Sequence, residues 1–261
     1  MDLNLKGKTA LVAASSQGLG FAIAEQLVRE GANVMISGRE EDKLLKKVKE
    51  LEAIGPGKAA FQTANITKVE DLKQLVTKTV ERFGSIQLLV NNAGGPPAGS
   101  FEDLNDEAWQ ASFELNLLSY VRLIREALPY LKQHGGKILN IASSSIKEPI
   151  PGLILSNTFR TGIIGLSKTL ASELASYNIL INTLAPGRIA TDRVKHLDQI
   201  NADRQGVSIE AIEAQVKAGI PLKRYGTPEE FASVAVFLLS DANSYMTGSA
   251  FLVDGGMVKS I

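Results

Sequence analysis

TALVAASSQGLGFAIAEQLVREGANVMISGR, residues 9–39, decides the fold. It opens on a short apolar run, Thr9 to Ala13, with the length and composition of a buried strand. A turn of small residues follows, with glycine at positions 18 and 20, and then Leu19, Ile23, Ala24 and Leu27 share one face of a helix that Gly31 closes. Asn33 to Ser37 is a second apolar run. Two strands joined through a helix pair in parallel, and the crossover between them is right-handed.

The same alternation continues outward. Strands are predicted over 9–13, 33–37, 59–63, 86–91, 137–141, 179–184 and 250–253, and helices over 19–30, 40–52, 69–83, 106–133, 155–177 and 228–239. Several strands are apolar on both faces, as strands covered by helices on two sides are. The predicted fold is therefore α/β, a single Rossmann-type doubly wound parallel sheet of seven strands with helices on both faces, one domain over 1–261. Punctuation agrees: Gly55-Pro56-Gly57 ends the second helix and Gly135-Gly136 the fourth, while Thr227, Pro228 and Glu230 form a capping box with proline at the first helical position. One segment departs from the pattern. Residues 191–222 are polar and lack a strand, although 208–218 fits a helix. A long excursion after a strand's carboxyl end covers a ligand more often than not, so this segment is predicted to be a substrate lid, the alternative being a surface insertion without a role.

Composition narrows the chemistry. The chain has 261 residues, no Cys, two His, five Tyr, and 28 basic against 28 acidic residues. Without cysteine there is no disulfide framework, thiolate metal site or Cys nucleophile, and two histidines do not build a His-rich metal centre. No metal is expected. Zero net charge argues against nucleic acid or an anionic membrane as partner. The N-terminal residues lack a basic segment followed by an apolar one, and the longest apolar stretch, 231–239, is far short of the roughly 20 residues that span a bilayer. The expectation is a soluble, cytoplasmic protein whose chemistry uses hydroxyls, carboxylates, amines or a cofactor.

The glycine turn suggests that cofactor. Ser15, Gln17, Gly18, Leu19 and Gly20 lie between the first strand and the first helix, where glycine lets the backbone approach a pyrophosphate and the helix N-terminus stabilises its charge. At the end of the second strand, where a fold that prefers NAD carries an acidic residue for the ribose hydroxyls, this chain has Gly38 followed by Arg39. That exchange favours NADP(H) over NAD(H), against the plainer reading of Arg39 as a solvated residue at a helix start.

From here the sequence resembles the short-chain dehydrogenase/reductase family over nearly its whole length. Asn91-Asn92-Ala93-Gly94 matches that family's NNAG motif, and Asn116 its structural and catalytic asparagine. The run from Lys137 to Ser143 matches the strand that leads to the catalytic serine. Pro186-Gly187-Arg188-Ile189-Ala190-Thr191 matches PG-x-x-x-T, and Ser244 to Gly248 with Val253 to Gly256 matches the C-terminal pattern. The nearest pattern is that of the 3-oxoacyl-(acyl-carrier-protein) reductases. The resemblance implies an oxidoreductase acting on a carbonyl or alcohol substrate, acyl thioesters included. It implies cofactor contacts at Asn65, Ile66, Asn91, Ala93, Gly94, Arg160, Pro186, Gly187, Ile189 and Thr191, and a homotetramer built through the fourth and fifth helices and the C-terminal segment. Trp109, Phe113, Leu117, Leu118, Val121 and Leu128 give the 106–133 helix more apolar surface than one face needs.

Two departures from the family carry most information. Ala13 and Ala14 stand where its opening motif has Thr and the first Gly, and alanine there costs about 1 kcal/mol if the backbone needs a positive φ. Counting thirteen residues on from Ser143 to the family's catalytic Tyr reaches Ser156, and four more to its Lys reaches Arg160. A serine hydroxyl is a far weaker acid than a tyrosine beside a cation, and Arg160 stays charged and cannot relay protons. Tyr120, Tyr130, Tyr177, Tyr225 and Tyr245 all lie outside that turn of helix, and His196, just into the lid, and Lys147, after the triple serine, are the alternative proton donors. Two readings stay open: an NADP(H)-linked ketoreductase with Asn116, Ser143, Ser156 and Arg160 as a divergent catalytic set, and a non-catalytic nucleotide-binding or assembly module that keeps the fold.

Overall fold

The computed structural model describes residues 2–260. Seven parallel strands lie in the order β3-β2-β1-β4-β5-β6-β7. They are β1 (Thr9–Val12), β2 (Asn33–Gly38), β3 (Ala59–Thr63), β4 (Leu88–Asn91), β5 (Gly136–Ile141), β6 (Ile179–Pro186) and β7 (Ala250–Val253). The order reverses between β1 and β4, so the crossover helices diverge to opposite faces there and leave a crevice beyond the strands' carboxyl ends.

One face of the sheet is covered by α1 (Gly18–Arg29), α2 (Glu41–Glu52) and α9 (Pro228–Leu239), whose Leu27, Leu44 and Phe231 pack on Val12, Val34 and Leu139. The other is covered by α3 (Val69–Phe83), α5 (Ser119–His134) and α6 (Ile154–Glu173), with Leu75, Leu123 and Ile163 against Leu11, Leu89 and Ile181. Adjacent residues of one strand thus enter different cores, which is why β1, β2 and β4 read as unbroken apolar runs. The capping box at Thr227 and Glu230 forms as predicted.

Two elements differ from the sequence reading. The predicted single helix over 106–133 is α4 (Asp106–Phe113) and α5 joined by a π-helical segment, Glu114–Leu118, that carries Asn116. The extra residue per turn rotates Asn116 into the interior, and such widenings mark functional positions in many helices. The 191–222 segment has more structure than expected, with α7 (Asp192–Gln205) and α8 (Ile209–Gly219). Asp198 and Ala202 are the buried residues of α7, and a carboxylate at the centre of the inward face conceals the helix from a search for apolar periodicity. Asp198 is buried because Arg188 Nη1 and Tyr225 Oη both donate to it, at 2.9 and 2.7 Å. That cluster pins the segment to the loop after β6.

Candidate functional site

The strand ends bring the predicted residues together at the crevice. After β1 the chain turns through Ala14 at φ 46°, so alanine occupies a left-handed conformation and bears the strain anticipated for it. The turn is held firmly. Ala14 N–H donates to Ser37 Oγ at 3.0 Å, and Asn92 Nδ2 donates to the Ala13 and Ala14 carbonyls at 3.2 and 2.9 Å. Ser15 is fully buried, its hydroxyl donating to the Val12 carbonyl and accepting from Ser37 N–H. Gly18 has φ 59° with open space where a Cβ would stand, whereas a Cβ on Gly20 would lie 2.7 Å from Asn92 Nδ2. The first glycine thus leaves room beside the N-terminus of α1 and the second permits close packing behind it, as a pyrophosphate cradle requires.

Next to this turn, Gly38 ends β2 with Ser16 against it: an added Cβ would stand 3.1 Å from Ser16 Oγ. A side chain at that position would require Ser16 to give by a few tenths of an ångström. Arg39 is exposed, and Lys43, from the first turn of α2, bonds Gln17 Oε1. Beyond β3, the Asn65 side chain accepts from Thr67 and Ile66 is buried.

On the other side of the switch point the ends of β4, β5 and β6 meet. Asn91 Nδ2 donates to Asn140 Oδ1, Asn140 Nδ2 to Ser167 Oγ, and Ser167 bonds Thr183 Oγ1, a buried polar chain linking β4, β5, α6 and β6. Asn116 Nδ2 donates to the Gly94 carbonyl at 2.8 Å while its Oδ1, buried, has no partner among the described residues. Ser143 Oγ accepts from Ser145 N–H at 3.2 Å. Ser156 is buried, and its hydroxyl makes no hydrogen bond among the described residues. Pro186 ends β6; Gly187 is pressed onto Asp254, 2.6 Å from where a Cβ would be, Ile189 is buried, and Thr191 caps α7.

Arg160 is the central group. Only 6% exposed, it donates from Nη1 to the Ile141 and Ala142 carbonyls at 2.8 and 3.0 Å and from Nη2 to the Ala93 carbonyl at 3.3 Å. The guanidinium joins the ends of β4 and β5, and no carboxylate among the described residues pairs with it. Tyr120, unremarkable in sequence, meets it: its hydroxyl donates to the same Ile141 carbonyl at 2.8 Å. Burial pushes the Tyr120 phenol up despite the opposing pull of the Arg160 charge. A phenol 1% exposed and bonded to a main-chain carbonyl is a framework group rather than an acid facing substrate. Its signal in sequence was spacing alone, four residues after Asn116 on one helix face. His196 and Lys147 are exposed and bring no hydrogen bond to Ser143 or Ser156.

A family model described as enoyl-(acyl carrier protein) reductase matches residues 13–258. The 3-oxoacyl-[acyl-carrier-protein] reductase FabG of Thermotoga maritima is 35% identical over 98% of this chain and 100% of its own. The chain belongs to the short-chain dehydrogenase/reductase family. Among solved structures of that family, L-sorbose reductase of Gluconobacter frateurii, complexed with NADPH and L-sorbose, superposes with a TM-score of 0.95 at 32% identity over 100% of both chains. Actinorhodin polyketide ketoreductase with NADPH gives 0.92 at 31% identity, over 97% of each chain. This short-chain dehydrogenase/reductase is an oxidoreductase by family, and no helix among its described residues is long and apolar enough to cross a membrane.

Proposed function

We propose that this protein is an NADP(H)-linked reductase of carbonyl compounds, similar to the 3-oxoacyl-(acyl-carrier-protein) reductases, with a divergent proton-donor site. The observation that carries the reading is the convergence of an open glycine turn, unpartnered Asn116 Oδ1 and the Ser143 and Ser156 hydroxyls on one crevice at the switch point. Gly18, Gly20 and the α1 N-terminus hold the pyrophosphate, Asn91, Ala93 and Gly94 line the ribose side, and Ile189 and Thr191 close over the nicotinamide end. The exposed Arg39 and neighbouring Lys43 favour a 2′-phosphate, and Gly38 stands where an NAD-preferring site carries its carboxylate. A nicotinamide dinucleotide supplies or accepts the hydride.

The chain's own part is to hold the carbonyl and balance its charge. Ser143 and Ser156 donate hydrogen bonds to the carbonyl oxygen, and Arg160 places a fixed positive charge beneath the developing oxyanion. Neither serine is acidic enough to deliver a proton readily near neutral pH, so protonation of the oxygen falls to water and turnover drops by about 10²–10⁴-fold relative to a tyrosine site. A second reading, a nucleotide-binding module without turnover, is favoured by one observation: both Nη atoms of Arg160 are committed to main-chain carbonyls rather than to a ligand. In either case we propose a single-domain cytoplasmic homotetramer with 191–222 as its lid. Phe101, Trp109 and Phe159 stack edge to face, and the exposed Phe101 supplies apolar surface for such contacts.

The test is to titrate NADPH and NADH by fluorescence and to assay acetoacetyl thioesters with the parent beside the Ser156→Tyr/Arg160→Lys double variant. Tight NADPH binding with weak parent turnover that rises in the double variant supports the divergent site. Robust parent turnover lost in His196→Ala moves the acid to the lid, and failure to bind either nucleotide refutes the cofactor assignment.

A further inference from the structure

The first turn of α7 carries a cation that the reading above does not use. Arg193 Nη2 donates to the Pro96 carbonyl at 2.9 Å, and its guanidinium lies so close along the loop after β4 that a Cβ on Gly95 would stand 3.0 Å from Nη2 and 3.2 Å from Nε. A side chain on residue 95 would displace it. Arg193 retains solvent access on its other side. Desolvation against the loop, and then the like charge of Arg160, push Arg193 below the ordinary arginine value. Both guanidiniums lie along the loop after β4, Arg160 on the Ala93 carbonyl and Arg193 on the Pro96 carbonyl, the first nine-tenths buried and the second exposed on α7, and neither forms an ion pair among the described residues.

A buried charge is ordinarily paired, and Arg160 is buried without a carboxylate partner among the described residues, so an anion that reaches it from the side where Arg193 is exposed is favoured by both charges. Each group also has donors to spare. The Nε of Arg160 makes no hydrogen bond among the described residues, and Arg193 uses one N–H on Pro96. A planar carboxylate matches the guanidinium fork in shape and charge. Arg160 lies one turn beyond Ser156 on α6, so an anion bound at Arg160 lies on the helix face that carries Ser156. The cofactor's phosphates belong elsewhere, at the N-terminus of α1, where Gly20 packs on Asn92 and Ser15.

We propose that Arg193 and Arg160 form an oxyanion receptor, and that the substrate reduced in this crevice is a keto acid whose free carboxylate Arg193 binds. The assignment rests on the reductase reading, and Arg193 acts as a specificity-determining residue that selects charged over neutral carbonyl compounds when the lid closes.

Calorimetric titration of pyruvate, acetoacetate and phenylpyruvate, each against its methyl ester, tests this with and without saturating NADP⁺. At least one acid is expected to bind about tenfold or more tighter than its ester, as one charge-assisted contact provides. Arg193→Met is expected to abolish that preference and Arg193→Lys to restore part of it, while NADP⁺ affinity stays within about twofold of the parent. Equal binding of acids and esters, or no binding of any acid, overturns the proposal. So does an Arg193→Met variant that loses NADP⁺ affinity as strongly as acid affinity, which would assign the arginine to the cofactor's phosphates. If no nucleotide binds, the reductase reading falls by itself, and the acid preference of the nucleotide-free protein still decides whether the receptor exists.

Discussion

Replacing Arg160 with methionine removes a cation but keeps most of the side-chain volume, and the cost follows from what it leaves behind. The Ile141 carbonyl retains the Tyr120 hydroxyl, whereas the Ala93 and Ala142 carbonyls lose the guanidinium. A stranded buried acceptor costs about 1–3 kcal/mol, so two cost about 2–6 kcal/mol. Relief of an unpaired buried charge returns part of that, leaving a loss of about 3 kcal/mol. For a domain of this size each kcal/mol lowers Tm by about 2–4 °C, which gives a fall of about 6–12 °C. Scanning calorimetry and urea unfolding of the parent, Arg160→Met and Arg160→Lys measure it, and the lysine variant should fall between, since an ammonium reaches fewer of the carbonyls. An Arg160→Met protein that melts within about 2 °C of the parent would refute the assignment of Arg160 as the clamp between β4 and β5.

Three further outcomes follow from single positions. Ala14→Gly relieves the strain of a φ of 46° but loosens the unfolded chain, so stability should change by less than about 1 kcal/mol in urea unfolding, while NADPH binding, read by fluorescence, tightens. Asp198→Asn removes the charge held between Arg188 and Tyr225 and should lower stability by about 2 kcal/mol and raise amide exchange along α7. Glu230 bonds Arg224 and the Thr227 N–H, which lower its carboxyl to about 2. Because the folded value is depressed, the stability this cap contributes is present above the usual carboxylate value and is lost as pH falls through about 2, and carboxyl NMR titration should show that midpoint moving up in Arg224→Ala.

Strand positions, the doubly wound sheet and the glycine turn before α1 were all legible in the chain, because burial on two faces writes a continuous apolar run and the helices between keep a regular period. The register that places Ser156 and Arg160 on successive turns of α6 was legible too, since it needs only counting along one helix. What they do there was not. Whether Arg160 faces a ribose or clamps two strand ends depends on how far α6 lies from the ends of β4 and β5, a distance that no local pattern encodes. The same holds for Tyr120, which is far from Arg160 in sequence and shares a carbonyl with it in space.

Ala14 shows the division at a single residue: its identity predicted a cost only if φ was positive, and the bonds from Asn92, across the switch point, are what hold it at 46°. The sequence by itself determined the architecture, the family and the chemical identities gathered at the crevice, because those follow from composition and periodicity along one dimension. Only the tertiary structure decided which side chains are occupied by the framework and which stay free. It turned the Arg160 charge inward without a carboxylate partner among the described residues, set Arg193 on the Pro96 carbonyl, and buried Asp198 between Arg188 and Tyr225, since each of these is set by contacts between elements distant in the chain.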